Sequence, residues 1–425
     1  MDKIITPKNK INANISLPGD KSISHRSLIL ASIVKGKSEI TNVLEGDDVQ
    51  RTINCLVQLG VSITKNEHVT HVESPGLQNF TKGPHELDCG NSGTTMRLLM
   101  GLLAGIPGDY TLIGDSSLSK RPMDRVKTPL EAMGANITLT DDKYAPVVIK
   151  GKKLKDIDYN LEVFSAQVKS AIMLAALTTE GDTRITGSLH TRDHTERLMP
   201  LFNMSLEKSK EMIVIPKQGE FKGATIEVPG DPSSASFWMA AGIILKNSWV
   251  QFDNISLNPT RGGFLKAIKK MGVNIMKKTT TKEPEPIGRM RVGHTNLKGI
   301  TVPPQDIPIL IDEIPILCIL ACYAKGVTTI KGAGELRHKE TDRLSAISEN
   351  LKALNIEHKL EMDELTIKGP QVFKGGVVDS FGDHRIAMSF AIGGLLGHTP
   401  ITIKNAECVS ISYPHFFDIL EKTTK

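Results

Sequence analysis

One feature constrains this chain more than any other: a single kind of segment occurs six times along it. Each copy opens on small, polar or charged residues, runs into an apolar helix, stops near a glycine or lysine and then becomes β-rich. The starts are Gly19-Asp20-Lys21-Ser22, Gly90-Asn91-Ser92-Gly93, Ser165-Ala166-Gln167, Gly230-Asp231-Pro232-Ser233, Ile311-Asp312-Glu313 and Phe381-Gly382-Asp383-His384-Arg385. A second set of related segments supports the count. Leu59-Gly60-Val61, Met133-Gly134-Ala135 and Met271-Gly272-Val273 each read as a helix end, a left-handed cap and a strand start. Leu354-Asn355-Ile356 substitutes asparagine at the cap, and Leu201-Phe202-Asn203-Met204 is a weaker copy. Corresponding positions lie about seventy residues apart, longer than the common solenoid periods.

Six such units in 425 residues exceed one ordinary core, so two domains of three units each are expected. The fold class is α/β (α+β). The last apolar helix, Phe416-Phe417-Asp418-Ile419-Leu420, has no strand after it. The segment around Lys10-Ile11-Asn12-Ala13-Asn14-Ile15 is the expected donor, closing the chain on itself.

Composition excludes several function classes. Aromatic residues make up 4% of the chain, and the net charge of +5 is spread without a basic stripe, so no nucleic-acid partner is expected. No apolar run reaches the ~18–20 residues of a membrane span, and the first residues lack the apolar core of a signal peptide. Five scattered cysteines without a Cys-x-x-Cys pattern point to buried thiols in a reducing cytoplasm rather than to a metal site.

The helix starts are where chemistry gathers. A helix N-terminus offers unpaired N–H groups and about half a positive charge, and so attracts anions. Around these starts the sequence sets Lys21, Ser22 and Arg26, then Lys120-Arg121, Arg192-Asp193-His194, Arg337-His338-Lys339-Glu340 and Asp383-His384-Arg385. Arginine forks suit phosphate and carboxylate. Asp312 and Glu313 stand inside an apolar stretch, where a carboxylate is expensive unless paired or functional. Asp312 is therefore either a helix cap or a catalytic group. Glu340, between Lys339 and Arg343, is a candidate proton-transfer group.

Assembled in order, Leu17-Pro18-Gly19-Asp20-Lys21-Ser22-Ile23-Ser24-His25-Arg26, Gly90-Asn91-Ser92-Gly93-Thr94-Thr95-Met96-Arg97, Arg121-Pro122-Met123, Ser165-Ala166-Gln167, Arg192-Asp193-His194-Thr195-Glu196, Lys339-Glu340-Thr341-Asp342-Arg343-Leu344 and Asp383-His384-Arg385 resemble the enolpyruvyl transferases over essentially the whole chain. The match is with the branch that acts on a shikimate phosphate. The resemblance implies two similar domains, one at 19–229 that binds the shikimate phosphate and one at 1–18 plus 230–425 that closes over phosphoenolpyruvate. The crossings fall near 18–19 and 229–230.

It also implies transfer of the carboxyvinyl group of phosphoenolpyruvate to the 5-hydroxyl of shikimate 3-phosphate, by a monomer with no metal or organic cofactor. By the same resemblance Lys21, Ser22, Arg26, Ser165, Ala166, Gln167, Arg192, Asp312 and Lys339 contact shikimate 3-phosphate. Lys21, Asn91, Gly93, Arg121, Gln167, Arg343, His384 and Arg385 contact phosphoenolpyruvate. Asp312 is the implied base for the attacking hydroxyl, and Glu340 and Lys21 the implied proton donors.

Two positions depart from the family pattern. Ser410 and Ile411 stand where many relatives place a lysine, and Glu335 where many have asparagine. The sister reaction on UDP-N-acetylglucosamine fits less well, because Ser116 replaces the cysteine five residues before the Arg-Pro pair and no Asn-Ala-Ala follows Lys21. A non-catalytic phosphate-binding protein of the same architecture would lack acids equivalent to Asp312 and Glu340.

Overall fold

The computed structural model describes all 425 residues, Met1–Lys425. Six sheets account for the strands, five of them four-stranded and one three-stranded. The second repeat shows the plan. A first strand, His85–Asp88, leads into the helix Gly93–Ala104. The strand Gly108–Ile113 then pairs parallel with the first. A second helix, Asp124–Ala132, is followed by the antiparallel pair Asn136–Thr140 and Tyr144–Gly151.

The lead helices of the six repeats are Lys21–Ile33, Gly93–Ala104, Ala166–Ala176, Pro232–Ile244, Ile314–Tyr323 and His384–Gly394. Beyond their first turns they are buried almost throughout, as helices apolar on all sides must be. Their starts follow local side-chain chemistry. Asp20, Ser92, Ser165, Asp231 and Asp383 each accept a backbone N–H of their own first turn, a cap worth about 1 kcal/mol. The fifth helix is the exception. Glu313 occupies its cap position without making a cap bond. The second helices end on left-handed residues at the five expected positions, Gly60, Gly134, Asn203, Gly272 and Asn355.

The chain divides into two compact units, Met1–Pro18 with Pro229–Lys282 and Pro286–Lys425, and Gly19–Val228 with Glu283–Glu285. Each contains three repeats and its own apolar core. In the Gly19–Val228 unit the second and third lead helices approach so closely that a Cβ on Gly101 would lie 2.2 Å from the Ala171 carbonyl oxygen. In the other unit Trp238 is fully buried against Tyr413 and Phe416, and its indole N–H donates to the Tyr413 hydroxyl at 3.0 Å.

Both units are completed by strands from distant sequence. Thr225–Glu227 pairs parallel with Gly36–Thr41 to open the first sheet. Lys3–Ile5 pairs antiparallel with Ile401–Lys404 and completes the sixth. This corrects the expectation that the Lys10–Ile15 segment fills that place. Its strand, Asn12–Asn14, instead runs parallel to Trp249–Gln251 and opens the fourth sheet. The parallel first strand of the fourth repeat was missing as well, and the N-terminal arm is long enough to serve both sheets. No helix is long and apolar enough to cross a membrane.

Candidate functional site

The predicted residues fall into two clusters, one in each unit. In the Gly19–Val228 unit the first turn of Lys21–Ile33 carries Lys21, Ser22 and, one turn on, Arg26. Capping by Asp20 fixes that turn, so Lys21 Nζ reaches Asp48 Oδ2 at 2.8 Å. Arg26 is buried, and its fork is held by neutral oxygens. Nε donates to Thr195 Oγ1 at 2.8 Å, Nη2 to Ser170 Oγ at 3.0 Å and Nη1 to the Ser22 carbonyl at 3.1 Å. Burial draws its pKa down to about 10, against the opposing pull of Glu196. The guanidinium is thus a desolvated cation whose charge is not cancelled by a bonded carboxylate. Arg192 Nη1 reaches Ser22 Oγ at 3.5 Å.

A hydroxyl lattice runs behind this turn. His25 Nδ1 lies 2.7 Å from Thr52 Oγ1, which is 2.7 Å from Thr95 Oγ1, which donates to Ser92 Oγ at 2.7 Å. Burial, with Lys21 and Arg26 nearby, holds the His25 pKa well below its usual value, so the ring is neutral.

The second and third lead helices bring in the rest. Arg121 Nη2 donates to Asn91 Oδ1 at 2.6 Å and to Ser117 Oγ at 3.0 Å, and Nη1 donates to the Asn91 carbonyl at 3.2 Å. Gly93 is buried at the helix start, where an added Cβ would lie 2.9 Å from Arg97 Nη1 and 3.5 Å from Arg121 Nη1. Gln167 donates to Thr94 Oγ1 at 2.9 Å and accepts from Arg97 Nη1 at 2.7 Å. Ser165 caps its own helix, with Ala166 as first residue. Arg97 and Asp48 are brought into this cluster without having been singled out from sequence. The partners of Arg97 lie in two other motifs, Pro122 and Gln167. Only the two acids at the start of Asp47–Gln58 hinted at Asp48.

In the other unit Arg343, first residue of Arg343–Ala353, has no exposed side-chain surface and is ringed by carboxylates. Nε donates to Asp383 Oδ2 at 2.7 Å, Nη2 to Glu340 Oε2 at 2.6 Å and Nη1 to Asp312 Oδ1 at 3.3 Å. Burial alone would lower its pKa. Asp383, Glu340 and Asp312 outweigh that and raise it. Arg385, buried beside it, donates from Nη1 to the Asp312 carbonyl at 3.2 Å and lies 3.8 Å from Asp312 Oδ2.

Asp383 therefore does two jobs: it caps the helix carrying Arg385 at 2.8 Å and anchors Arg343. Lys339 and Glu340 lie on the short loop before Arg343, His384 is buried next to Arg385, and Ser410 and Ile411 are half-buried. The fourth lead helix has a different character. Arg261 donates to Asp231 Oδ1 at 3.1 Å and Ser233 Oγ at 2.7 Å, while the Ser233 hydroxyl donates to Glu313. This start is internally satisfied. No group of three or more histidine, cysteine or acidic side chains has the arrangement of a metal site.

Residues 5–420 match the model of the family described as EPSP synthase (3-phosphoshikimate 1-carboxyvinyltransferase). The 3-phosphoshikimate 1-carboxyvinyltransferase of Sulfurihydrogenibium sp. is 44% identical, with all of both chains covered. That of Bacillus cytotoxicus is 42% identical over 96% of this chain and 97% of its own. The structure of EPSP synthase from Acinetobacter baumannii superposes with a TM-score of 0.88 at 37% identity, covering 100% of this chain and 98% of that one. The enolpyruvyl transferase NikO from Streptomyces tendae shares the fold at 15% identity, with a TM-score of 0.79 over 99% and 96% of the two chains.

Proposed function

The chain belongs to the EPSP synthase (3-phosphoshikimate 1-carboxyvinyltransferase) family, and on that premise we propose how its two charged clusters serve the two substrates. The enzyme is a transferase. It moves the carboxyvinyl group of phosphoenolpyruvate to the 5-hydroxyl of shikimate 3-phosphate and releases phosphate, a step toward chorismate and the aromatic amino acids.

In this reading Lys21, Ser22, Arg26, Ser165, Ala166, Gln167, Arg192, Asp312 and Lys339 hold shikimate 3-phosphate. Lys21, Asn91, Gly93, Arg121, Gln167, Arg343, His384 and Arg385 hold phosphoenolpyruvate. Two substrates that both carry negative charge repel each other, so a dense set of fixed cations is what brings their reacting atoms together. Arg26 suits the sugar-like phosphate because its charge is desolvated and bonded only to hydroxyls and a carbonyl.

The observation that carries the mechanism is Asp312. Its carboxylate is held by Arg343 and its own backbone carbonyl by Arg385, so it is fixed in place, and it is only partly buried. We assign it as the base that takes the proton of the 5-hydroxyl while that oxygen bonds to C2 of phosphoenolpyruvate. The methylene carbon accepts a proton from Glu340 or Lys21. The group that gave that proton then takes one back from the resulting methyl as the C2–O bond to phosphate breaks, which restores the double bond and releases phosphate.

Glu340 accepts from Arg343, which fixes the position of its carboxyl group. The same proposal has the chain working as a monomer in the cytoplasm, supported by five unpaired thiols. The test is phosphate release from phosphoenolpyruvate plus shikimate 3-phosphate. Asp312→Asn is expected to lower kcat by about 10²–10⁴-fold, the range for loss of a general base, with little change in the shikimate 3-phosphate KM. Full activity in that variant removes Asp312 from the base role.

A further inference from the structure

The fourth repeat departs from the plan of the others in a way the transfer reaction does not use. In the second repeat the strand after the second helix turns Ile137 inward, opposite Ile149. In the first, Ile63 lies opposite Val72. In the fourth repeat the residue three past the cap is Ile275, half-buried at the cavity lining, and the inward-facing pair beyond it is Lys277 opposite Met290. Every residue of its strand, Met276–Thr281, is exposed. With Lys277 rather than an apolar side chain following Ile275 on this strand, a cavity of about 480 Å³ remains beside the short helix Gly263–Lys270. That falls within the roughly 300–1,000 Å³ of small-ligand pockets.

Its chemistry is two-sided. Met239, Ile255, Phe264 and Met290 supply apolar walls, while Lys269 and Lys277 stand at the lining with no carboxylate partner. The other cations of this region are compensated. Asp306 holds Lys266 at 2.6 Å and Lys270 at 3.4 Å, and Asp231 holds Arg261. An apolar hollow with two uncompensated lysines is complementary to an apolar body carrying one negative charge.

Glu313 also lines the cavity. It accepts from Ser233, whose hydroxyl also receives Arg261, and it is joined directly to Asp312.

We propose that this cavity is a second binding site, for a small amphiphilic carboxylate with an aromatic or branched aliphatic body. Occupancy reaches the transferase chemistry through the Ser233–Glu313 contact, because displacing Glu313 moves the peptide whose carbonyl Arg385 grips. Binding stands independently of how the two substrates are assigned. Only its effect on turnover rests on the role given to Asp312.

The experiment is isothermal titration of the full chain with 3-phenylpropanoate, with shikimate 3-phosphate present at saturation. 3-Phenylpropanol and inorganic phosphate serve as controls. The variants are Lys277→Ile, which replaces the charge at the lining with an apolar side chain, and Lys269→Glu, on an exposed helix face. The expected result is saturable binding of the carboxylate at least tenfold tighter than the alcohol, not displaced by phosphate, and weakened at least tenfold by each substitution. Turnover of the wild type should shift with the carboxylate, while that of Lys277→Ile, whose basal rate is unchanged, should not. Four results would overturn the site: no saturable binding, equal binding of the alcohol, displacement by inorganic phosphate, or undiminished binding in both variants. Normal binding with no change in turnover would overturn the coupling to Asp312 and leave the substrate assignment intact.

Discussion

Two buried arginines, Arg26 on a lead helix of one unit and Arg343 at the start of a second helix of the other, are stabilised in opposite ways. Arg26 is held by two hydroxyls and a carbonyl, and burial lowers its pKa. Arg343 is held by three carboxylates, which raise its pKa despite burial. The first is an open charge that an arriving phosphate would complete. The second is already compensated, and it fixes the carboxylates around it. A family motif in sequence treats both as anion-binding arginines; the structure sets one among neutral oxygens and the other among carboxylates.

That contrast is most exposed to failure at Arg343. Arg343→Met leaves Asp383, which has no exposed surface, buried without its cation. A stability loss of about 3–5 kcal/mol is expected from breaking a buried pair on one side, measured by urea unfolding. A loss under about 1 kcal/mol would mean that the carboxylates find other partners, and the distinction between the two arginines would go.

Arg26→Met should behave conversely. Ser170 and Thr195 remain bonded to each other at 2.7 Å, so stability should change by no more than about 1 kcal/mol. The KM for shikimate 3-phosphate should rise on the order of 10²-fold, the worth of one or two charge-assisted hydrogen bonds. An equal rise in the phosphoenolpyruvate KM would blur the assignment of this cation to one substrate.

The smallest effect sharpens the picture of the hydroxyl lattice. His25 titrates near 6.5 when unfolded and well below that when folded, because burial and then Lys21 and Arg26 disfavour its charge. Below pH 6.5 the unfolded chain therefore binds a proton that the folded chain refuses. Stability is full above that pH and falls as pH drops, with a slope of up to about 1.4 kcal/mol per pH unit from this residue. Urea unfolding at pH 7.5, 6.5 and 5.5 should show a shallower acid loss in His25→Asn than in the wild type. Identical slopes would place the ring in a more hydrated setting than the lattice provides.

What could be read from sequence was local, and what could not was long-range. The helix starts were legible because their signals, such as Asp20 accepting from Ile23 or Ser92 from Thr95, act within three residues. Left-handed caps at Gly60 and Asn355 were legible for the same reason. Asp312 illustrates the limit. Beside a helix start it reads equally well as a cap, and only Arg343, 31 residues on, and Arg385, 73 residues on, give it another use. Arg97 meets Gln167 across 70 residues, and Lys21 meets Asp48 across 27. Nothing in the local pattern names those partners. The N-terminal arm pairs with two sheets, and its three-residue strands carry too little pattern for sequence to tell which open edge each one fills.

The pairing of Lys3–Ile5 with Ile401–Lys404 has a consequence in time as well as in space. Ile4 lies opposite Thr402, so the sixth sheet cannot assemble on the ribosome until residue 404 has emerged. Synthesis at about 5–20 residues per second keeps that N-terminal strand, with its unpaired edge, waiting for tens of seconds. In the first sheet Gly36–Thr41 waits for Thr225–Glu227 in the same way, but for a little under half as long. The stretch most open to chaperone capture during synthesis is therefore the short arm made first.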